Sequence, residues 1–349
     1  NDGYGGSVTK TFYVYSASQI TDDYSSTFDV DRLGGEITIS WTDLISLSSK
    51  VLLNSQIKDI TAGGVIGPTM IDFEGDEIYY VADADGLIFY GKSRYNEQMF
   101  RIKRSFEGKF SDISVWDKEV MITYYDDTHN AVKVLFSEDG GENFSEIMTS
   151  YASIYSCLPD YYCPPKIIWP RICGEGGNFY VVWIDYNSVK VFFFKKEFLD
   201  INKILASYPE FSDGKFSPQI VFPGDFKNSE YASCVTDGKK IYVVFERFIE
   251  KSKDIFLLEA PLMQGSESLT LPDGKVLTLN YDGLIDDTKV EVRDLWTSAN
   301  TDSLKPEISI FNNKVYITWV EGDKIALLSF SISNDKPSKQ EPLFIHSGL

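Results

Sequence analysis

Six short segments of this chain are near-copies of one another, and a repeat of that kind leaves few folds open. They are ITISWTD from Ile37, IYYVAD from Ile78, VMITYYDD from Val120, FYVVWID from Phe179, IYVVFER from Ile241 and VYITWVE from Val315. Each is rich in Val, Ile, Tyr and Phe. Each follows a turn of Gly, Asp, Asn or Lys, which itself follows another short strand-like run. Such runs bounded by turn residues read as β-strands, and helical periodicity is almost absent. The copies start 41, 42, 59, 62 and 74 residues apart. A strand–turn–strand unit recurring about every 40–50 residues is the signature of a propeller blade. The expected fold class is all-β: a six-bladed β-propeller of four-stranded antiparallel blades, forming one domain over 1–349.

The blades are expected near 24–64, 65–108, 109–165, 166–216, 217–300 and 301–349. The two widest gaps are assigned to insertions at 146–168 and 265–303, the second holding the hairpin-like LTLPDGKVLTL and the acidic DGLIDDTKVEVRD. An N-terminal strand at 9–15 is expected to pair into the last blade, closing the ring and removing exposed strand edges.

Composition narrows the function. Hydrophobic residues make up 43% of the 349, enough to fill a core, so wholesale disorder is excluded. The net charge of −19 repels phosphate backbones, so no nucleic-acid partner is expected. No apolar run reaches the roughly 18–20 residues of a membrane span. His129 and His346 are the only histidines, which leaves little room for a histidine metal site or a Ser-His-Asp triad. The opening NDGYGGSVTK is polar and carries no signal peptide, so the chain reads as mature or trimmed. Sparse cysteine and a Tyr-rich, Lys/Arg-poor composition fit an extracellular or cell-surface protein. Asn143-Phe144-Ser145 is a glycosylation-type triplet.

Aligning the copies produces two columns. Trp41, Ala82, Tyr124, Trp183, Phe245 and Trp319 form one, expected to pack between blades. Asp43, Asp83, Asp126, Asp185, Glu246 and Glu321 form the other, expected to line a rim or to solvate strand ends. Cys173 and Cys234 fall six and seven residues before their copies, so a bridge between adjacent blades is expected. Cys157 and Cys163 bracket the loop LPDYY and are the companion disulfide candidates. No CxxC zinc pair occurs. Asp83-Ala84-Asp85-Gly86 and Asp282/Asp286/Asp287 offer oxygen ligands for Ca²⁺ without the twelve-residue EF-hand spacing, so no cofactor is assigned beyond calcium as a candidate.

Ser137-Glu138-Asp139-Gly140-Gly141-Glu142-Asn143-Phe144 fits Ser-x-Asp-x-Gly-x-x-Trp/Phe and follows VKVLF, the third strand of its blade. It resembles the Asp box of sialidase-like (BNR-repeat) propellers, which lies between third and fourth strands. The resemblance assigns Ser137, Asp139, Gly141 and Phe144 a structural role: Asp accepts backbone N–H groups, Gly supplies φ > 0 and the aromatic plugs the blade.

A sialidase resemblance would also imply three arginines gripping a carboxylate, a Tyr nucleophile paired with Glu, and an Asp acid/base. The seven arginines are Arg32, Arg94, Arg101, Arg104, Arg171, Arg247 and Arg293. The family's Phe/Tyr-Arg-Ile-Pro is missing; Phe100-Arg101-Ile102 has lysine at the proline position. Arg171, Arg247 and Arg293 are the candidates for a converging ligand site. The starts of the inner strands add Asp29, Asp112 and Glu307 as channel candidates beside Arg171. Tyr155, Tyr161, Tyr162 and Trp296 are candidate aromatics for sugar stacking or protein contacts. No catalytic residue is assigned, because the catalytic set is incomplete.

Three readings follow. The first is an exported, non-catalytic propeller that binds glycan or protein partners through one face and its loops. The second is a divergent sialidase-like glycoside hydrolase. The third is a structural cell-surface component.

Overall fold

A segment such as FYVVWID is apolar at odd and even positions alike, so the strand it builds has two faces to bury. The computed structural model describes residues 25–33, 36–43, 48–53, 56–59, 67, 69–94, 101–151, 168–185, 188–205, 207–208, 219–223, 231–249, 252–297, 302–322, 324–332 and 342–346. Among them are six four-stranded antiparallel sheets and one two-stranded ribbon. The first sheet holds β1 (Ser25–Leu33), β2 (Glu36–Asp43), β3 (Ser48–Leu53) and β4 (Gln56–Asp59). The second holds β5 (Thr69–Glu74), β6 (Glu77–Ala84), β7 (Leu87–Arg94) and β8 (Arg101–Glu107). The third holds β9 (Lys109–Trp116), β10 (Glu119–Asp126), β11 (Ala131–Ser137) and β12 (Ser145–Tyr151). The fourth holds β13 (Arg171–Glu175), β14 (Asn178–Asp185), β15 (Ser188–Lys195) and β16 (Gln219–Pro223). In the fifth, β17 (Ala232–Thr236), β18 (Lys240–Ile249) and β19 (Ser252–Pro261) are followed by the ribbon β20 (Ser266–Thr270) and β21 (Val276–Asn280) before β22 (Glu291–Trp296) completes the sheet. The sixth holds β23 (Ser303–Phe311), β24 (Lys314–Glu321), β25 (Lys324–Ser331) and β26 (Leu343–His346).

Alternation along β14 shows how the faces are used. Phe179, Val181 and Trp183 pack toward the third sheet, with Met121, Val134 and Phe136. Tyr180, Val182 and Ile184 pack toward the fifth, with Ile241, Val243 and Phe245. Further apolar layers join the first sheet to the second, the second to the third, and the fifth to the sixth. First strands touch in succession, β1 on β5, β5 on β9, β9 on β13, β13 on β17 and β17 on β23. The arrangement is β-propeller-like. Tyr124, Trp183, Phe245 and Trp319 lie in these layers, and Ala82 is buried as well.

Several expected boundaries move. β16 lies beyond 216, so the fourth sheet runs later than expected and the fifth begins at 232. Residues 146–151 of the first expected insertion belong to the ladder strand β12, and the segment 265–303 contains both the ribbon and the fourth strand β22. The outer strand β22, EVRDLW, mixes charged with apolar residues and therefore does not resemble the inner copies. Strand 9–15 lies outside the described residues, and the sixth sheet takes its fourth strand from β26. An unexpected helix, α1 (Glu197–Leu205), buries Phe198, Ile201 and Leu205 between the fourth and fifth sheets. Its apolar stripe has helical spacing but is a single short one.

The acid column is corrected. Asp83, Asp126, Asp185, Glu246 and Glu321 are all buried, so they neither line a solvent-facing rim nor solvate strand ends. Asp126, Asp185 and Glu246 each meet a lysine of the next strand: Lys133 at 3.0 Å, Lys190 at 2.5 Å and Lys253 at 2.9 Å. Glu321 accepts from Ser303 Oγ (2.5 Å) and Trp319 Nε1 (2.9 Å). Asp83 accepts from the backbone N–H of Phe110 and from Ser111 on β9. A strand-end acid is thus consumed by its own sheet or by the first strand of the next.

Cys173 and Cys234 form a disulfide between the fourth and fifth sheets, with Cα atoms 5.8 Å apart. Cys157 and Cys163 lie outside the described residues. The Ser137–Phe144 turn joins β11 to β12. Asp139 Oδ1 accepts the N–H groups of Glu142 (3.0 Å) and Asn143 (2.9 Å), and Ser137 Oγ accepts that of Gly141 (2.9 Å). The bond from the Asn143 N–H, followed by those from the Ser137 hydroxyl and the Asn143 side chain, holds the Asp139 carboxyl down to about 2. Asn143 Nδ2 donates to Asp139 Oδ2 at 2.8 Å. Phe144 packs edge-on to Tyr90 (5.1 Å) and Phe106 (5.6 Å) of the second sheet.

Gly141 has φ +84, and a Cβ there would lie 1.7 Å from Tyr90 Oη. Gly75 has a similar φ of +63 with nothing within 4 Å. We expect Gly75→Ala to cost about 1 kcal/mol and Gly141→Ala about 2 kcal/mol or more, measured by denaturant unfolding. Equal costs would remove the Tyr90 contact from the account.

Burial pushes the Asp83 carboxyl up to about 7, against the opposing pull of its bonds from Ser111 and Phe110. A carboxyl raised on folding stabilises the fold fully below its ordinary value of 3.8. That contribution is lost as pH rises through about 7. The melting temperature of the wild type relative to Asp83→Asn should therefore fall between pH 4 and 8; a constant difference would refute the assignment.

Candidate functional site

Counting along the ladders from the aromatic column locates six equivalent positions. The residue preceding each column member is paired in the first strand with Asp29, Met70, Asp112, Arg171, Ser233 or Glu307. Five of these have described side chains, and all five meet at Arg171 or Glu307. Arg171 Nη2 lies 3.0 Å from both carboxylate oxygens of Glu307. Its Nε is 3.5 Å from Asp112 Oδ2 and its Nη1 2.9 Å from Met70 Sδ. Glu307 also accepts from Tyr231 Oη and from Ser233 Oγ (2.7 Å). The guanidinium lies 5.9 Å from the Tyr231 ring centroid. One side chain of the fourth sheet thus touches residues of the second, third and sixth sheets, and the aromatic ring that leads into the fifth.

The cluster is dry apart from Glu307, whose side chain is 31% exposed; Arg171, Asp112, Met70, Ser233 and Tyr231 are buried. A buried guanidinium needs carboxylates to offset its desolvation, and its planar fork suits two at once. Asp112 has further donors in the N–H groups of Ile113 and Ile172, both at 2.9 Å. Burial, above all, raises the Tyr231 hydroxyl well above its ordinary range, with Arg171 opposing and Glu307 reinforcing. Tyr231 is therefore a proton donor to Glu307, not a phenolate.

Two residues earlier on the same face, the strands or their lead-ins present Phe110, Trp169, Tyr231 and Lys305. Phe110 stacks on Trp169 with centroids 4.3 Å apart, and Tyr231 tilts against Trp169 at 5.5 Å. Lys305 Nζ lies over the Trp169 ring at 5.7 Å. Phe110 and Lys305 occupy ladder irregularities with φ +55 and +50. Bulges re-aim side chains beside sites. Phe110 and Trp169 are half-buried and Lys305 is exposed, which makes this layer the mouth and the Arg171 cluster its floor.

Arg171, Asp112 and Glu307 thus come together, while Arg247 and Arg293 do not join them. Arg293 sits on the outermost strand of the fifth sheet, bound to Glu259 (2.9 Å) and Glu291 (3.0 Å). Arg247 is on β18, with its guanidinium 5.3 Å from the Phe256 ring. Trp296 is packed beside Trp319 at 6.4 Å instead of standing free. Tyr155, Tyr161 and Tyr162 lie outside the described residues. Among the described residues no group of three or more His, Cys, Asp or Glu side chains is arranged to hold a metal. Asp282 accepts from Gly265 N (2.7 Å), and Asp286 pairs with Lys289 (2.7 Å). Met70, Ser233, Tyr231, Phe110, Trp169 and Lys305 were not candidates in the sequence, although the same count from the aromatic column points to their positions.

Removing Arg171 would leave two carboxylates without their cation. We expect Arg171→Ala to cost about 3 kcal/mol or more in denaturant unfolding, and Arg171→Met/Glu307→Gln to recover part of it. No recovery would mean that the charges are not coupled.

A scan against protein-family models finds no match to this chain, and a search of curated proteins finds none either. Solved structures do align. An α-L-arabinanase of Penicillium chrysogenum complexed with arabinobiose is 8% identical, with 81% of each chain covered and a TM-score of 0.48. A protein from Lactobacillus plantarum is 9% identical, over 90% of this chain and 79% of that one, with a TM-score of 0.44. TolB from Acinetobacter baumannii is 13% identical, over 84% of this chain and 57% of that one, with a TM-score of 0.44.

Proposed function

We propose that this chain is an extracellular, non-catalytic six-bladed β-propeller that takes the end of a glycan at its axial mouth. The observation that carries the reading is the state of the axial groups. Arg171 is already neutralised by Glu307 and Asp112, and Tyr231 is a protonated donor, so neither a free arginine clamp nor an activated nucleophile stands at the floor. Above them, the Phe110–Trp169 pair, the Lys305 ammonium and the partly exposed Glu307 carboxylate offer an apolar surface beside one donor and one acceptor. A sugar ring matches that chemistry: its C–H face packs on aromatics and its hydroxyls bond to charged groups.

The reach of Arg171 into the second, third and sixth sheets supports a ring closed about one axis. The same side chain blocks passage along that axis, which favours a chain end over a strand threaded through. The Ser137–Phe144 turn supports kinship with Asp-box propellers, and the Cys173–Cys234 disulfide supports an oxidising compartment. A second reading, a divergent glycoside hydrolase, draws on Asp112 and Glu307 as two carboxylates at one axis.

Titration against a panel of terminal mono- and oligosaccharides tests the proposal. Binding should weaken about tenfold or more in Trp169→Ala, a loss of about 1.4 kcal/mol, with no turnover of fluorogenic glycosides. Turnover abolished by Glu307→Gln would favour the hydrolase; a panel without binders would sink the glycan reading.

A further inference from the structure

Asp83 differs from Asp126, Asp185 and Glu246 in the acid column. Where β11 places Lys133 opposite Tyr124 and β15 places Lys190 opposite Trp183, β7 places Phe89 opposite Ala82. Those two lysines neutralise Asp126 and Asp185, and Lys253 neutralises Glu246. Among the described residues no cation pairs with Asp83. Its carboxylate is held instead by the N–H of Phe110 and by the N–H and hydroxyl of Ser111. It has little room to turn, since a Cβ on Gly67 would fall 2.6 Å from the Asp83 Cβ.

Phe110 is where this matters. A bulky aromatic with φ +55 is a backbone outlier that needs an external hold. The sixth sheet repeats the device: Glu246 Oε2 accepts the N–H of Lys305 at 3.2 Å, and Lys305 has φ +50. In both cases a buried acid of the preceding sheet fixes a left-handed residue whose side chain belongs to the axial mouth.

We propose that Asp83 is a positioning residue of the mouth, holding the Phe110 backbone so that its ring stacks on Trp169, and that this stack responds to the protonation state of Asp83. The ionised carboxylate accepts charge-assisted bonds from the Phe110 N–H and from Ser111, whereas the neutral acid gives up one acceptor position. Burial brings the group up to about 7, inside the range where ordinary pH changes act.

The surrounding charges are committed elsewhere. On β9, Lys109 pairs with Asp127 (2.5 Å) and Asp112 with Arg171 (3.5 Å). On β5, Asp72 accepts Val115 N (2.6 Å) and Glu74 reaches Asp117 N (3.4 Å). On β7, Lys92 pairs with Glu77 (2.7 Å), and Arg94 lies at that strand's far end from Asp83. Asp85 is exposed in the following turn, and from β2 the described neighbours are Ser40 and Thr42. This regulation rests on the axial-mouth reading for its biological meaning, but its test uses no ligand, so the two can fail separately.

The experiment is a near-ultraviolet circular dichroism and tryptophan-emission titration from pH 5 to 9 on the full chain carrying His129→Gln and His346→Gln, which removes imidazole from the readout. One transition near pH 7 is expected, and it should disappear in Trp169→Phe and in Asp83→Asn. Phe89→Lys supplies the cation that Asp126 and Asp185 have at this position, and should move the midpoint down by at least one pH unit. The proposal is overturned if the parent shows no transition, or if the transition survives Asp83→Asn or Trp169→Phe. Should Asp83→Asn not fold, a midpoint unmoved in Phe89→Lys overturns it equally.

Discussion

The inner strands β6, β10, β14 and β18 are apolar and buried on both faces, and that constraint organises the rest. A sheet with such a strand at its centre cannot face water on either side, so the second to fifth sheets each need a neighbour before and after them. Stacking sheets that twist with one hand turns the series about an axis. Side chains at the inner edge of the second, third, fifth and sixth sheets then converge on Arg171 and Glu307. Arg171, Asp112 and Glu307 are the chain's answer: unlike charges that cancel across the axis and tie separate sheets to one another.

The strand repeat was readable because inner strands are the most constrained part of such a sheet. Trp183, Phe245 and Trp319 recur since each fills the same space between sheets. Outer strands such as β22 meet water on one side and drift toward ordinary surface composition, which is why 265–303 reads as an insertion although it holds a ladder strand. Helix α1 escaped notice because three apolar residues are too brief a pattern to stand out from strands.

The acids show what a sequence column leaves out. Their spacing revealed recurrence, but whether a recurrent carboxylate is wet or dry depends on residues brought in from neighbouring strands. Lys133, Lys190 and Lys253 decide that for three of them, and Ser111 and Phe110 for Asp83. The axial site was half legible for a similar reason. Charged residues at strand starts drew attention to Asp112, Arg171 and Glu307. Phe110 and Trp169 carry no chemical flag and become meaningful only when the ladder register puts them side by side. Arginine identity alone misleads, as Arg293 on an outer strand demonstrates.

The bond between Cys173 and Cys234 spans 61 residues of chain and joins two neighbouring sheets beside the axis. A protease that nicks the backbone anywhere between them therefore releases nothing: both fragments stay tethered through sulfur. Such a tether separates damage to the chain from loss of the assembly.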